Sequence, residues 1–418
     1  GGSIAGGEYN VAVGNYSLDA LTSGDANTVI GYNAGGSLTG ATNNVIIGHL
    51  AGDALQTGSS NTIIGDNAVG VGVLTGGNNV VMGRNAGEDL TSAASNVIIG
   101  VDAAKQGTTG ENNVVIGTNA QGSGIATGNN NVVLGYGAGF NMTSGAQHVL
   151  IGYNAGNATQ NQTDGSVCIG FEAGKALTVG GSVLIGPNAG KLITSGSTNT
   201  MIGYNAGDGF DTEDNNIGIG TNALGGPIAG GEYNVAVGND TLQTLTSGDA
   251  NTMLGYQAGY SVNTGYYNTF VGQGAGAGVT TGFSNVLIGA NAAHSNTTNL
   301  VTGDQNTLVG RNIQPTGTDT NTANGLGYFL TCEGGYTTVG QSGSDIRAAH
   351  GTATWAAVSD ERFKKNIETS DAGLAVINDL RPVTYNWKTK GEVPEWSKWY
   401  EEGSDEQYRN SKLNHGFV

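Results

Sequence analysis

The most regular feature of the chain is a short apolar triplet closed by glycine, as in Val45-Ile46-Ile47-Gly48 and Val132-Val133-Leu134-Gly135. The closing glycine recurs eighteen times between Gly14 and Gly310, nearly always 16 to 18 residues apart. The first triplet residue is β-branched in every unit (Val45, Thr62, Val80 and Ile217, for example), and β-branched side chains favour strands. Successive strand side chains point to opposite faces, so an unbroken apolar triplet predicts cover on both. One face fills the interior of the unit's own coil. Few other positions in the unit are apolar, so the second wall is expected from another copy of the chain.

The polar positions are as regular as the apolar ones. Four residues before the glycine stands Asn in fifteen of the eighteen units, replaced only by His148, Ser166 and Ser182. Stacked at one strand spacing, these side chains predict a hydrogen-bonded amide ladder. Three residues after the glycine Ala recurs equally often, as at Ala34, Ala51 and Ala68, and a small corner residue lets neighbouring backbones approach. A second half-unit, Leu21-Thr22-Ser23-Gly24 or Leu245-Thr246-Ser247-Gly248, supplies a return segment. Residues 4–32 and 228–256 are near duplicates, offset by 224.

These features predict an all-β chain, a β-solenoid (β-roll) of about eighteen 17-residue coils. At about 4.8 Å per strand, eighteen coils give a rod of roughly 85 Å. The pattern N-x-apolar-apolar-G-x-x-A resembles the β-roll heads of trimeric autotransporter adhesins and the repeats of bacteriophage tail fibres, over most of residues 1–310.

Composition agrees. Of 418 residues 75 are Gly, yet there is no Gly-X-Y period and only 5 Pro, which excludes collagen. A hydrophobic content of 37% argues against disorder. The net charge of -18 disfavours nucleic acid, and no apolar run approaches the ~18 residues that a membrane span needs. Cys168 and Cys332 offer neither a disulfide framework nor a zinc quartet, and both read as buried small hydrophobes.

The text changes near the end. All four Trp lie in the last 78 residues; acidic outnumber basic residues 21 to 5 up to Val339 but only 12 to 10 from Gln341 onward. We therefore expect three regions: a solenoid shaft over 1–310, a β cap or neck over 311–358, and another domain over 359–418. Within the last, Ile367, Leu374, Ile377 and Leu380 fit an amphipathic helix stopped by Pro382. Ser359-Asp360, Arg362, Lys364-Lys365-Asn366-Ile367, Leu380-Arg381-Pro382-Val383, Tyr385, Trp387-Lys388 and the final His415-Gly416-Phe417-Val418 resemble the start of the endosialidase-type intramolecular chaperone of phage tail fibres and tailspikes. The resemblance implies the start of an α+β domain that drives trimerisation of the preceding β structure and then cuts itself off after Ser359. In that reading Ser359 is the nucleophile and Lys364 its base, since a desolvated lysine can be neutral near pH 7. From the residues alone, a helix N-cap followed by a solvated basic face is the simpler account. The chain opens at Gly1 rather than Met and ends about halfway through the module as that family has it, so it reads as a fragment, and whether this fragment is cleaved stays open.

Other chemistry is sparse. Asp208, Asp211, Glu213 and Asp214 offer carboxylate oxygens to Ca²⁺, with a solvated bulge the favoured reading. The five His are scattered, and His148 takes a ladder position. Gly122-Ser123-Gly124 lacks the helix and Lys of a phosphate loop. No cofactor or metal is expected. Tyr32, Tyr136, Tyr153, Tyr204 and Tyr256 follow the repeat glycine, with Phe171 in register and Tyr260, Tyr266 and Tyr267 nearby. Such rings suit either a packing seam between subunits or a surface that stacks on sugars.

The resemblance therefore implies a homotrimeric tail-fibre shaft, structural and receptor-contacting, extracellular as part of a virion. Its partners would be itself and a host surface polysaccharide or protein receptor, with no nucleic acid and no membrane insertion. Autocleavage is the one enzymatic activity expected. A bacterial adhesin head is an alternative, but neither heptad stalk nor membrane anchor is found. A tailspike glycosidase is another; it needs two carboxylates roughly 5 to 9.5 Å apart across a groove, and no such pair stands out.

Overall fold

In a computed structural model of the chain, the structure describes residues 6–124, 126–158, 165–294, 299–352 and 402–405, with the backbone of 356–357, 382–385 and 414–417. The chain divides into two compact units, Gly1–Val358 and Ser359–Val418. The expected helix between Ile367 and Leu380 and the residues Ser359 and Lys364 lie outside the described residues. Among the described residues there is no helix.

In the first unit each triplet is a three-residue strand, from β1 (Val11–Val13) to β18 (Thr307–Val309), paired in parallel with the strand one coil away. Val45, Ile46 and Ile47 meet Thr62, Ile63 and Ile64 residue for residue, and the same register holds at every step to β18. The fold is a β-solenoid. Beyond β18, β19 (Gln314–Pro315) pairs with β21 (Thr331–Cys332), while β20 (Asn324–Tyr328) continues the main ladder as a nineteenth coil. Next, β22 (Tyr336–Gln341) adds one more parallel strand. Then β23 (Ser344–Ala349) and β24 (Ala356–Ala357) reverse direction.

The repeat glycine is obligatory for two independent reasons. Its φ lies between 127° and 144° in all eighteen coils, a region open essentially to glycine alone. A Cβ placed on it would also run into the backbone carbonyl of the glycine in the next coil, from Gly14 against Gly31 to Gly310 against Gly327.

The Asn ladder forms as expected. The backbone N and the Nδ2 of Asn44 both donate to Asn27 Oδ1 at 3.0 Å, and Nδ2 also reaches the Gly58 carbonyl at 3.1 Å. The motif recurs at Asn79, Asn96, Asn131, Asn251 and Asn268. These amides are buried, so each would otherwise leave unpaired polar groups in the core. His148 keeps the ladder running by accepting from the Ser166 backbone N through Nδ1. The ladder thins just beyond, where the buried Ser166 hydroxyl has no partner among the described residues.

Inside the coil the core is built from the central triplet residue, the corner Ala and the return-segment Leu, as in Ile46, Ala51 and Leu55. Cys168 occupies the central triplet position of its coil, and burial pushes its thiol up to about 12. Cys332 is buried as well, likewise pushed up to about 12 mainly by burial. Both therefore pack as apolar groups.

If the ladder holds the corners, Asn79→Ala should lower unfolding free energy by about 1–3 kcal/mol, because it strands buried partners on both adjacent coils. Thr57→Ala, at an exposed site, should stay within about 0.5 kcal/mol of the parent. Denaturant titration of both variants checks this, and equal effects would count against the ladder.

Candidate functional site

The outer face of the sheet runs the length of the ladder from β1 to β18. In each strand the central residue points in, while the first and third stay partly open to solvent. Ile30 is 39% exposed, Val45 37% and Leu254 48%. The outward positions of β1 to β18 carry only Val, Ile, Leu, Met or Thr, so the triplets make an apolar stripe two residues wide along the whole ladder. Among the described residues of the first unit no second wall covers it.

A column of side chains follows the repeat glycine at the next corner. Tyr136 stacks on Tyr153 with ring centroids 5.4 Å apart and planes 9° from parallel, and Tyr153 stacks on Phe171 at 5.2 Å and 8°. Tyr32 stacks likewise on His49. Where three rings are stacked in this way, the inner faces are occupied by neighbouring rings and the sides offered to solvent are edges. Sugar stacking needs a free ring face, so this run fits a lateral packing seam better than a glycan platform.

Charges at the same side of the coil form a network that the residue pattern had not suggested. Glu172, at a buried corner, accepts from Lys175 Nζ and Lys191 Nζ, each at 2.6 Å. The bonds from these two lysines hold its carboxyl below the usual carboxylate range. The clue in the sequence was that both lysines stand five residues after a repeat glycine, in consecutive coils.

In the acidic loop the carboxylates are taken up mainly by backbone and hydroxyl donors. Glu213 is buried, and its carboxylate accepts the backbone N of Asp211, Thr212 and Gly230 at 2.9 to 3.1 Å. Asp214 accepts the Ser197 backbone N at 2.5 Å, and Asp211 accepts from the Thr194 hydroxyl. Asp208 stands apart from these bonds, and burial raises its carboxyl above the usual range. Two of the four carboxylates, Glu213 and Asp214, therefore cap backbone donors of adjacent coils. Among the described residues no group of three or more His, Cys, Asp or Glu is arranged to hold a metal. No helix among them is long and apolar enough to cross a membrane.

In the second unit, β25 (Pro382–Tyr385) pairs antiparallel with β26 (Asn414–Phe417), Val383 opposite Gly416. Parts of two of the chaperone-like stretches, Pro382-Val383 and His415-Gly416-Phe417, thus meet in one sheet. Residues 359–417 match the family described as chaperone of endosialidase. The chaperone match begins at Ser359, the first residue of the second unit. No curated protein and no solved structure matches the chain.

The Glu172 network sets a pH dependence. Its folded carboxyl titrates below its unfolded value, so the stabilisation is present above the ordinary carboxylate range and is lost as pH falls through the folded value. Replacing both Lys175 and Lys191 by Met should therefore lower the melting temperature clearly at pH 7 and much less at pH 3. An equal drop at both pH values would show that the lysines act through packing alone.

Proposed function

We propose that the chain is the shaft of a trimeric tail-fibre-like assembly, with residues 359–417 acting as an assembly chaperone that then separates itself from the shaft. The apolar stripe along the outside of the solenoid carries this reading. Isolated soluble chains rarely expose a contiguous apolar surface of that extent. Three parallel copies turning their stripes inward would bury it, and the chaperone match at residues 359–417 fits a chain whose β structure needs help to assemble.

In this reading the cut follows Ser359. The Ser359 hydroxyl attacks a Ser359 carbonyl carbon, Lys364 takes the hydroxyl proton and passes it to the leaving Asp360 nitrogen, and the C–N bond breaks. Water then hydrolyses the resulting ester, leaving a carboxylate on Ser359 and a free hydroxyl. Attack by a serine on its own carbonyl would close a four-membered ring, so a neighbouring copy in the trimer is the better source of the hydroxyl. The shaft belongs outside the cell on a virion, where its length would present it to a host surface.

Two experiments test the two halves. The whole chain should sediment as a trimer, and Ile47→Asp should shift it to smaller species by placing an unpaired charge in a dry seam, at a loss of several kcal/mol. A stable soluble monomer of the parent would remove the shaft reading. Within a chain carrying the whole chaperone domain, mass spectrometry should find a fragment ending at Ser359. That fragment should vanish in Ser359→Ala and fall sharply in Lys364→Ala, with trimers still formed. Cleavage that persists in Ser359→Ala would take Ser359 out of the mechanism.

A further inference from the structure

One corner of the coil carries aromatic rings that packing does not account for. The residue just before the ladder position has a left-handed backbone in nearly every coil, with φ of 59° at Asn43, 63° at Asn78 and 57° at Asn112. Small polar residues dominate this column because Asn tolerates that conformation and bulky residues do not. Tyr233 and Tyr267 break the rule, at φ 58° and 56°. They are 60% and 64% exposed, so little burial offsets the strain. No ring contact among the described residues involves Tyr233, and Tyr267 meets only Tyr266, edge to face at 5.3 Å. In contrast to the stacked column after the repeat glycine, these rings keep surface free.

The two tyrosines share one column with Ala250 between them. Backbone bonds fix the order, Ala250 N donating to the Glu232 carbonyl and Tyr267 N to the Asp249 carbonyl. Two coil spacings place the tyrosine backbones roughly 10 Å apart, with only a methyl group on the floor of the notch. Carboxylates flank it. Asp249 Oδ1 accepts the Glu232 backbone N at 2.9 Å, which leaves its second oxygen available, and the Glu232 carboxylate makes no hydrogen bond or ion pair among the described residues. Between Lys191 and Arg311 the chain has no Lys or Arg, so every fixed charge on these coils is negative.

We propose that Tyr233, Ala250 and Tyr267, with the carboxylates of Glu232 and Asp249, form a binding site for a neutral polysaccharide. An aromatic face takes the apolar face of a sugar ring, and ionised carboxylates accept its hydroxyls in charge-assisted hydrogen bonds. An acidic polymer is repelled by the uniform negative charge. The near-duplicate coil at the other end has Glu8, Tyr9, Asp25 and Ala26 in the same places but Asn43 where the second wall would be, so it is a one-walled version of the notch. In a trimer the site is present three times, and a repeating polymer engages several copies at once, raising a weak single-site affinity by avidity. The shaft reading supplies this setting, and sedimentation tests that reading separately.

The test uses the whole chain in its assembled form, titrated calorimetrically with dextran, mannan and galactan, and with dextran sulfate as the anionic control. At least one neutral polymer should bind and dextran sulfate should not. Tyr233→Asn with Tyr267→Asn, which installs the column's own usual residue, should weaken binding at least tenfold while leaving sedimentation unchanged. Glu232→Gln should weaken it by a smaller factor. The proposal is overturned if none of the neutral polymers binds, if the double variant binds as tightly as the parent, or if dextran sulfate binds best. It is also overturned if the double variant dissociates the assembly, since the tyrosines would then belong to a subunit seam.

Discussion

Each coil must bring its glycine back to within one backbone spacing of the glycine in the next, and the rest of the shaft follows from that contact. With φ above 120° and no space for a Cβ, the position admits only glycine. With a backbone turn this tight recurring every 17 or so residues, the strands of β1 to β18 are three residues long. The corners must then be made from residues that accept left-handed conformations or occupy little volume, which selects Asn and Ala. Corner amides sealed between coils lose their water, so the buried Asn ladder is the polar counterpart of the glycine column.

Much of this was legible because the constraint repeats. The β-branched first position, the ladder Asn and the corner Ala each follow from the spacing alone, and so does the burial of Cys168 at a central triplet position. The nineteenth coil was not legible. Ala323 stands where the Asn belongs, and Asn324-Gly325-Leu326 replaces the apolar triplet, yet Gly327 follows Gly310 by 17 residues and Ala323 N still donates to Asn306 Oδ1. Period outlasted composition there. The acidic loop shows the opposite limit: its carboxylates are plain in the sequence, but the Gly230 and Ser197 amides they cap lie about one coil away. Ser359 and Lys364 were suggested by resemblance, and nothing in their spacing alone would have singled them out.

The regularity that makes the fold easy to read also creates a problem for assembly. Nearly every coil presents the same outward pair of apolar residues, so two shafts shifted by one coil would bury nearly as much surface as two in register. Uniform β surfaces specify register weakly. The features able to break the degeneracy are the departures from the repeat: the 21-residue unit ending at Gly310, and the reversal of direction at β22 to β24. Both lie toward the C-terminal end of the first unit. An assembly domain following that end would act where register is most readily set, which gives a physical reason for a chaperone to follow a solenoid.

Solenoid stability is close to a sum over neighbouring coils, so the ends matter disproportionately. The neighbour contribution is visible at Ala236, which is fully buried between the coils on either side of it. Toward Val358 the first unit is closed by the β22–β23 hairpin and β24, whose last residue is Ala357. A cut after Ser359, as proposed, would fall beyond that strand and take no paired strand from the unit. Every coil would keep the neighbours that hold it, so the chaperone could leave without loosening what it had helped to build.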